Sequence, residues 1–177
     1  LLAEACDELG LELHAWATYD LKKDATLDSC IKSFESADLI LLRPSSEPIW
    51  DEVAEAVNKI GSERDVPIIS FGRDSTYWTL SNVSLKVVAT VNAYHVYGGS
   101  ENAKNMLKYV GKEVLGLDLE FDPPIENLWQ GIYHPDTDRA FKDVDEYLKW
   151  YKPAKRHMIG LLFFRTYWIN GDLEIVD

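Results

Sequence analysis

Apolar positions along the first half of the chain switch between strand-like and helical spacing. Two short apolar runs, residues 38–43 and 66–71, have the pattern of strands that are buried on both faces of a parallel sheet. Between them, helical spacing extends from Ser45 to Gly61, with Pro48 near its beginning. Helices of this length between buried strands predict a parallel α/β sheet.

The segments around this unit continue the pattern. Residues 1–9 and 25–36 carry helical stripes of apolar side chains, and residues 11–17 alternate as a strand does. Residues 84–97 are rich in Val and Tyr, which favours a strand by propensity, but their apolar spacing predicts a helix. Gly98-Gly99 would end it. We therefore expect a flavodoxin-like parallel sheet with flanking helices.

The second half of the chain is less regular. Residues 116–138 show little periodicity, and loops of this length inside a compact domain are often functional. Asp138 is predicted to cap a helix, and residues 158–164 are predicted to form another buried strand. The predicted division has three parts. They are an α/β domain (1–115), a connector of loop and helix (116–154) and the truncated start of a second α/β unit (155–177).

Charge and composition narrow the classes of partner. The formal charge of −12 disfavours nucleic acid and anionic membrane surfaces, while a local arginine cluster can still bind an acidic ligand. No apolar run approaches the roughly 20 residues of a membrane helix, and we expect a cytoplasmic protein. The N-terminus lacks a signal peptide and a Met, as expected of a piece of a longer polypeptide. Cys6 and Cys30 lack metal-site spacing and are predicted to be reduced core thiols.

Candidate chemistry is concentrated in residues 129–136, where aromatic and titratable side chains occupy an irregular segment. His134 and Asp136 can supply an acid/base pair or two metal ligands. Alternatively, His134 packs in the loop and Asp136 accepts backbone hydrogen bonds in a turn. Trp129 and Tyr133 either anchor the loop or offer a flat aromatic platform.

A second candidate group follows the predicted strand at residues 158–164. The fork of Arg165 can clamp a carboxylate, or it can pair with Asp172 or Glu174. Trp168 is more typical of a core than of a ligand contact, and Asn170 begins a turn. The chain has no phosphate-binding glycine loop, so we do not expect it to bind ATP.

Three blocks in this order resemble a known family. They are a Gly-Gly-x-Glu-Asn helix start at 98–102, a Gly-Ile-Tyr-His-Pro loop at 131–135 and an Arg-x-x-Trp-x-Asn-Gly-Asp turn at 165–172. Together they resemble the large subunit of cobalt and magnesium chelatases (CobN-type), near its N-terminus. Residues 1–80 match it only in their general α/β pattern.

The resemblance implies a ligase reaction, the ATP-dependent insertion of Co²⁺ or Mg²⁺ into a corrinoid or porphyrin ring, as in cobalamin biosynthesis. It implies a tetrapyrrole bound by the large subunit and ATP hydrolysed by separate AAA+ ATPase subunits. We expect this piece to bind no cofactor and to be inactive alone. In this interpretation His134 and Asp136 are catalytic, and five residues contact the substrate: Trp129, Tyr133, Arg165, Trp168 and Asn170.

Two other hypotheses stay open. The chain could be a non-catalytic interaction module that docks onto the rest of the large subunit or its ATPase partners. It could also be a free-standing flavodoxin-like domain, but flavin binding needs a phosphate loop after a first strand, and the chain lacks that strand.

Overall fold

A computed structural model describes residues 1–137, 139–152 and 159–173. At its centre, strand β1 (Ile40–Leu42) pairs in parallel with strand β2 (Ile68–Ser70). Ile40 lies opposite Ile68, and Leu42 lies opposite Ser70. Both strands fall inside the apolar runs that predicted them, so those two predictions are confirmed.

Helices occupy most of the remaining regular structure. They are α1 (Leu2–Leu9), α2 (Thr18–Leu21), α3 (Asp24–Ser33), α4 (Ile49–Glu63), α5 (Leu85–Tyr97), α6 (Ser100–Glu113), α7 (Val144–Trp150) and α8 (Arg165–Asn170), with a 3-10 turn at Ser75–Leu80. The helical spacing of residues 84–97 was thus a better guide than their strand propensity. None of these helices has the length and apolar character needed to cross a membrane.

The sheet separates two apolar clusters. Ile68 packs with Val53 and Val57 of α4, whereas the next residue, Ile69, packs with Val88 and Val91 of α5. This alternation follows from the pleat, which points successive side chains to opposite faces. A parallel sheet flanked by helices is the predicted α/β class, which is confirmed. The flavodoxin-like topology and the domain division stay predictions.

The strand predicted at residues 11–17 is wrong. The segment is irregular, and no strand pairs with it in the part of the chain that the structure describes. Leu11 packs beside Cys6 and Leu107, but Leu13 and Trp16 are exposed. Alternating side chains indicate a half-buried strand only where a neighbour accepts its hydrogen bonds.

Two predictions in the second half also need correction. The strand predicted at residues 158–164 is wrong as a strand formed within this chain. Residues 159–164 are irregular, and Met158 lies outside the described residues. The predicted cap Asp138 also lies outside them. Helix α7 begins instead after Asp143, whose side chain accepts a hydrogen bond from the Glu146 N–H at 2.8 Å.

Residue 141 lies before α7 rather than inside it. Phe141 forms an isolated antiparallel bridge with Ile132 and is fully buried. This bridge pins the 129–136 segment to the start of the helical connector. The predicted burial of the two thiols is confirmed: Cys6 and Cys30 are free and lie in the core. Their reduced state stays a prediction.

Candidate functional site

Two of the three sequence blocks, 98–102 and 165–172, meet at one junction with residues 127–129, which lie just before the remaining block. The Gly98-Gly99 turn after α5 contacts α8, and the segment at residues 127–129 lies against both. The Gly99 N–H donates a hydrogen bond to the Ile169 carbonyl at 2.8 Å. Residues far apart in sequence therefore form one structural unit, which we call the junction.

Gly98 is required at this junction by both backbone and space. Its φ of +68° and ψ of −174° lie in a region that is essentially restricted to glycine. A Cβ at this position would lie 2.8 Å from Cβ of Ile169. The absence of a side chain thus lets α8 approach the end of α5.

Asn102 orders the segment that lacked periodicity in the sequence. Its side chain is buried, and Nδ2 donates to the carbonyls of Gly98 at 2.7 Å and Ile125 at 2.8 Å. Its Oδ1 accepts from the Ile125 N–H at 2.9 Å. The amide therefore satisfies three backbone groups that no helix or strand pairs.

A second pair of side chains continues this bracing. Oδ1 of the buried Asn105 accepts from the Asp122 N–H at 2.9 Å, and the Tyr94 hydroxyl donates to the Asp122 carbonyl at 2.5 Å. Burial raises the pKa of Tyr94 to about 12, so the hydroxyl keeps its proton. Sequence reasoning missed these roles. The available signal was two asparagines, 102 and 105, among the buried positions of α6.

Arg165 makes its hydrogen bonds to backbone carbonyls of the junction. Its Nε donates to Leu128 at 2.7 Å, and one Nη donates to Tyr97 at 3.0 Å and to Asn127 at 3.4 Å. Burial lowers the pKa of its guanidinium from the ordinary value, although arginine stays charged at neutral pH. No ion pair joins Arg165 to Asp172 within the described residues, and Glu174 lies outside them.

Trp129 lies directly beside this cation. The guanidinium carbon of Arg165 is 4.7 Å from the centre of the Trp129 ring, although 63% of Trp129 is exposed. The site thus combines an accessible aromatic surface with a positive charge held by carbonyls. Of the predicted substrate contacts, Trp129 and Arg165 are brought together.

His134 is packed among aromatic rings. Its ring centre lies 4.8 Å from that of Tyr151, 5.3 Å from Trp150 and 5.9 Å from Tyr147. Nδ1 accepts a hydrogen bond from the Asp136 N–H at 3.2 Å, an arrangement that places the proton of a neutral ring on Nε2. The Asp136 carboxylate is 3.8 Å from Nδ1 and largely exposed.

The other predicted site residues are placed differently. Tyr133 packs edge-on against Phe163, with ring centres 6.1 Å apart, which links the 129–136 segment to the chain before α8. Trp168 is half-buried on α8, and Asn170 is exposed at its end. In the described parts of the chain, no hydrogen bond or ring contact joins either side chain to the 129–136 segment. The functional roles of all these residues stay predictions.

Metal ligands do not cluster in this region. Among residues 1–137, 139–152 and 159–173, no group of three or more His, Cys, Asp or Glu side chains could hold a metal ion. His134 and Asp136 are therefore a pair without a third ligand among those residues.

Comparison with known proteins finds a family match for the part of the chain that holds the junction. A family model described as CobN/Magnesium Chelatase matches residues 92–177, which contain all three blocks. Residues 92–177 belong to the CobN/magnesium chelatase family. Two of the blocks that suggested this family from sequence, 98–102 and 165–172, thus contact each other.

Relatives extend the CobN/magnesium chelatase match. An uncharacterized protein of Methanocaldococcus jannaschii is 26% identical over 85% of this chain and 11% of its own length. The Oryza sativa subsp. indica protein named magnesium-chelatase subunit ChlH, chloroplastic, is 32% identical over 42% of this chain and 6% of its own length. The chain therefore spans only about a tenth of these relatives, or less.

A solved structure supports the fold. The catalytic subunit of cobaltochelatase from Mycobacterium tuberculosis superposes with a TM-score of 0.52 and 18% identity, over 76% of this chain and 11% of that one. At this identity the likeness concerns the fold alone.

Proposed function

We propose that this chain is a segment of the tetrapyrrole-binding large subunit of an ATP-dependent metal chelatase, where it helps to build the ring pocket or to assemble the subunit. Membership of the CobN/magnesium chelatase family supports the enzyme class. The observation that carries the pocket role is the pairing of an exposed Trp129 with the carbonyl-held cation of Arg165.

Each member of this pair suits one part of a tetrapyrrole. The indole of Trp129 can stack on the flat macrocycle, since aromatic faces pack well against each other. Arg165 would place a positive charge near the peripheral carboxylates of the ring. Its hydrogen bonds go to backbone carbonyls, so its role is a fixed charge beside Trp129 rather than a two-pronged clamp. A preorganised cation reduces the ordering cost of binding.

His134 and Asp136 enter this proposal as the pair that would move pyrrole protons. For His134 to take a proton at Nδ1, its hydrogen bond from the Asp136 N–H must first break. Asp136 could then stabilise the protonated ring. The packing of His134 among aromatic rings favours the alternative in which His134 holds this segment in place.

The complete reaction would need components outside this chain. We assign ATP hydrolysis to AAA+ ATPase partner subunits, and we regard Co²⁺ or Mg²⁺ as the substrate metal. The remainder of the large subunit would complete the tetrapyrrole site, and the isolated chain would be inactive. A cytoplasmic location fits this assignment.

Fluorescence titration tests the pocket role. The chain holds six tryptophans, so binding of a metal-free porphyrin or corrinoid precursor should quench its emission in a saturable way. We expect Trp129→Leu to weaken binding at least about tenfold, the equivalent of about 1.4 kcal/mol. Trp16→Leu is the matched control, because Trp16 is also exposed but lies outside the junction. Equal affinity of both variants would refute a ring contact at Trp129, and no binding by the folded chain would favour the second candidate below.

The second candidate is a non-catalytic interaction module of the same subunit. The observation that favours it is the exposed apolar segment at residues 159–164, next to an arginine whose hydrogen bonds are internal. In that case the titration shows no binding, and the family assignment is unaffected.

A further inference from the structure

The segment before α8 exposes an unusual amount of apolar surface. Four large side chains in residues 159–164 are more than two-thirds exposed, and one of them is fully exposed. They are Ile159 at 89%, Leu161 at 69%, Leu162 at 103% and Phe164 at 77%. Scattered exposed apolar residues are ordinary in proteins, but a contiguous group marks a contact surface.

The backbone of this segment is also unpaired within the described part of the chain. Among the described residues, the N–H and C=O groups of residues 159–163 have no hydrogen-bond partner, and the Phe164 carbonyl accepts the first bond of α8 from Tyr167. Covering four apolar side chains would remove water from this backbone. Buried backbone groups must be paired, so whatever covers the segment must also supply hydrogen bonds.

These two facts favour a β-sheet as the structure that covers residues 159–164. The exposed side chains include both odd-numbered and even-numbered positions, so a strand here would be apolar on both faces, as in the interior of a parallel sheet. The segment leads directly into α8, whose position is fixed by the Gly99–Ile169 hydrogen bond. This is the order of a strand followed by its helix in an α/β unit.

We propose that residues 159–164 form a strand in a second sheet, whose neighbouring strands come from the longer polypeptide outside this chain. The inference rests on the proposed function only in taking the chain as part of a large subunit. That this chain spans 11% of one relative and 6% of another supplies the source of the missing strands. Neighbouring strands from outside this chain then explain both why residues 159–164 have the sequence pattern of a strand and why they do not form a strand here.

Amide hydrogen exchange tests this proposal. Peptides covering residues 159–164 are followed in this 177-residue chain and in the full-length polypeptide, without any tetrapyrrole. We expect rapid exchange in the chain alone and exchange slowed at least about 100-fold in the full-length protein, as in a stable strand. Rapid exchange in both would overturn the proposal. Because no ring is present, this result is independent of the pocket test.

A matched pair of variants identifies the surface. Leu161 and Leu85 are 69% and 68% exposed, and Leu85 begins α5, where an aspartate is tolerated. Leu161→Asp in the full-length protein should abolish the slow exchange of residues 159–164, whereas Leu85→Asp should leave it unchanged. If Leu161→Asp does not fold, Leu161→Thr replaces it, with a smaller loss of protection expected.

Sedimentation of the isolated chain tests the remaining alternative, in which a second copy of this chain covers residues 159–164. Concentration-dependent dimerisation that slows exchange at residues 159–164 would overturn the proposal in favour of self-association. A monomer whose segment exchanges rapidly at every concentration agrees with it.

Discussion

The guanidinium of Arg165 lies 4.7 Å from the centre of the Trp129 ring while it donates hydrogen bonds to the carbonyls of Tyr97, Asn127 and Leu128. One side chain thus joins the end of α5, the irregular segment and the start of α8. Its charge is available to a ligand beside Trp129, and its removal would loosen three parts of the junction together.

Arg165→Lys should destabilise the chain by about 1–3 kcal/mol, because a lysine ammonium cannot reproduce the fork that reaches three carbonyls. Urea unfolding measures the change. Arg139→Lys is the control, since Arg139 also lies over an aromatic ring, 4.6 Å from that of Phe141, but is exposed, and its ion pair within the described residues is a long one with Glu146. We expect less than about 0.5 kcal/mol for the control. Equal losses would contradict a special role for Arg165.

Gly98→Ala should destabilise the chain more than Gly10→Ala. The two glycines have φ values of +68° and +67°, but a Cβ at Gly10 meets nothing within 4 Å, whereas one at Gly98 meets Ile169. We expect about 1 kcal/mol for Gly10 and about 3 kcal/mol or more for Gly98. Denaturant titration compares them.

A double-mutant cycle with Ile169→Ala measures the part of the Gly98 effect that comes from Cδ1 and Cγ1 of Ile169, which would lie 3.1 and 3.3 Å from the added Cβ. If contact with Ile169 contributes, the double variant is more stable than the sum of the single effects predicts. Strict additivity would show that Cγ1 and Cδ1 of Ile169 contribute nothing, which leaves backbone strain and the contact with Cβ of residue 169, an atom that alanine retains.

Asn102→Asp should cost about 3 kcal/mol, since an ionised carboxylate cannot donate hydrogen bonds to the carbonyls of Gly98 and Ile125. Exchange of the amides in residues 116–128 should also accelerate, because this side chain pins that segment. Asn170→Asp, at an exposed position, is the control and should be nearly neutral. Unchanged exchange in Asn102→Asp would refute the bracing role.

Stability should fall as the pH falls from 6.5 towards 4 because of His95. Burial, with a smaller contribution from the charge of Arg43, lowers the pKa of His95 from 6.5 to about 4 in the folded protein. In this window the unfolded chain binds the proton and the folded protein does not, so protons favour unfolding. The stabilising contribution is therefore present above pH 6.5 and is lost on acidification.

Urea unfolding across this pH window, on wild type and on His95→Gln, measures the effect. The difference between the two proteins removes the contribution of carboxylates that titrate in both. We expect wild type to lose more stability than His95→Gln on acidification, with a slope of at most one proton. Parallel pH profiles would contradict the assignment to His95.

The sequence by itself determined the local features of this protein. The apolar runs around β1 and β2 predicted buried strands, and the spacing in residues 84–97 predicted α5 against the propensity of its Val and Tyr residues. These predictions succeed because local backbone conformation alone sets the spacing at which side chains return to the same face, about 3.6 residues in a helix and about 2 in a strand. The three blocks also identified the chelatase family, to which residues 92–177 belong.

Tertiary structure decided which polar groups meet. No spacing showed that Arg165 would bind the carbonyls around Trp129, or that Asn102 would order the segment after α6. It also decided that residues 11–17 and 159–164 do not form strands within this chain, although both have apolar patterns. The physical reason is the same in each case. Periodicity records which side chains avoid water, whereas hydrogen bonds between strands, and between side chains and distant carbonyls, depend on partners that only the folded chain brings into reach.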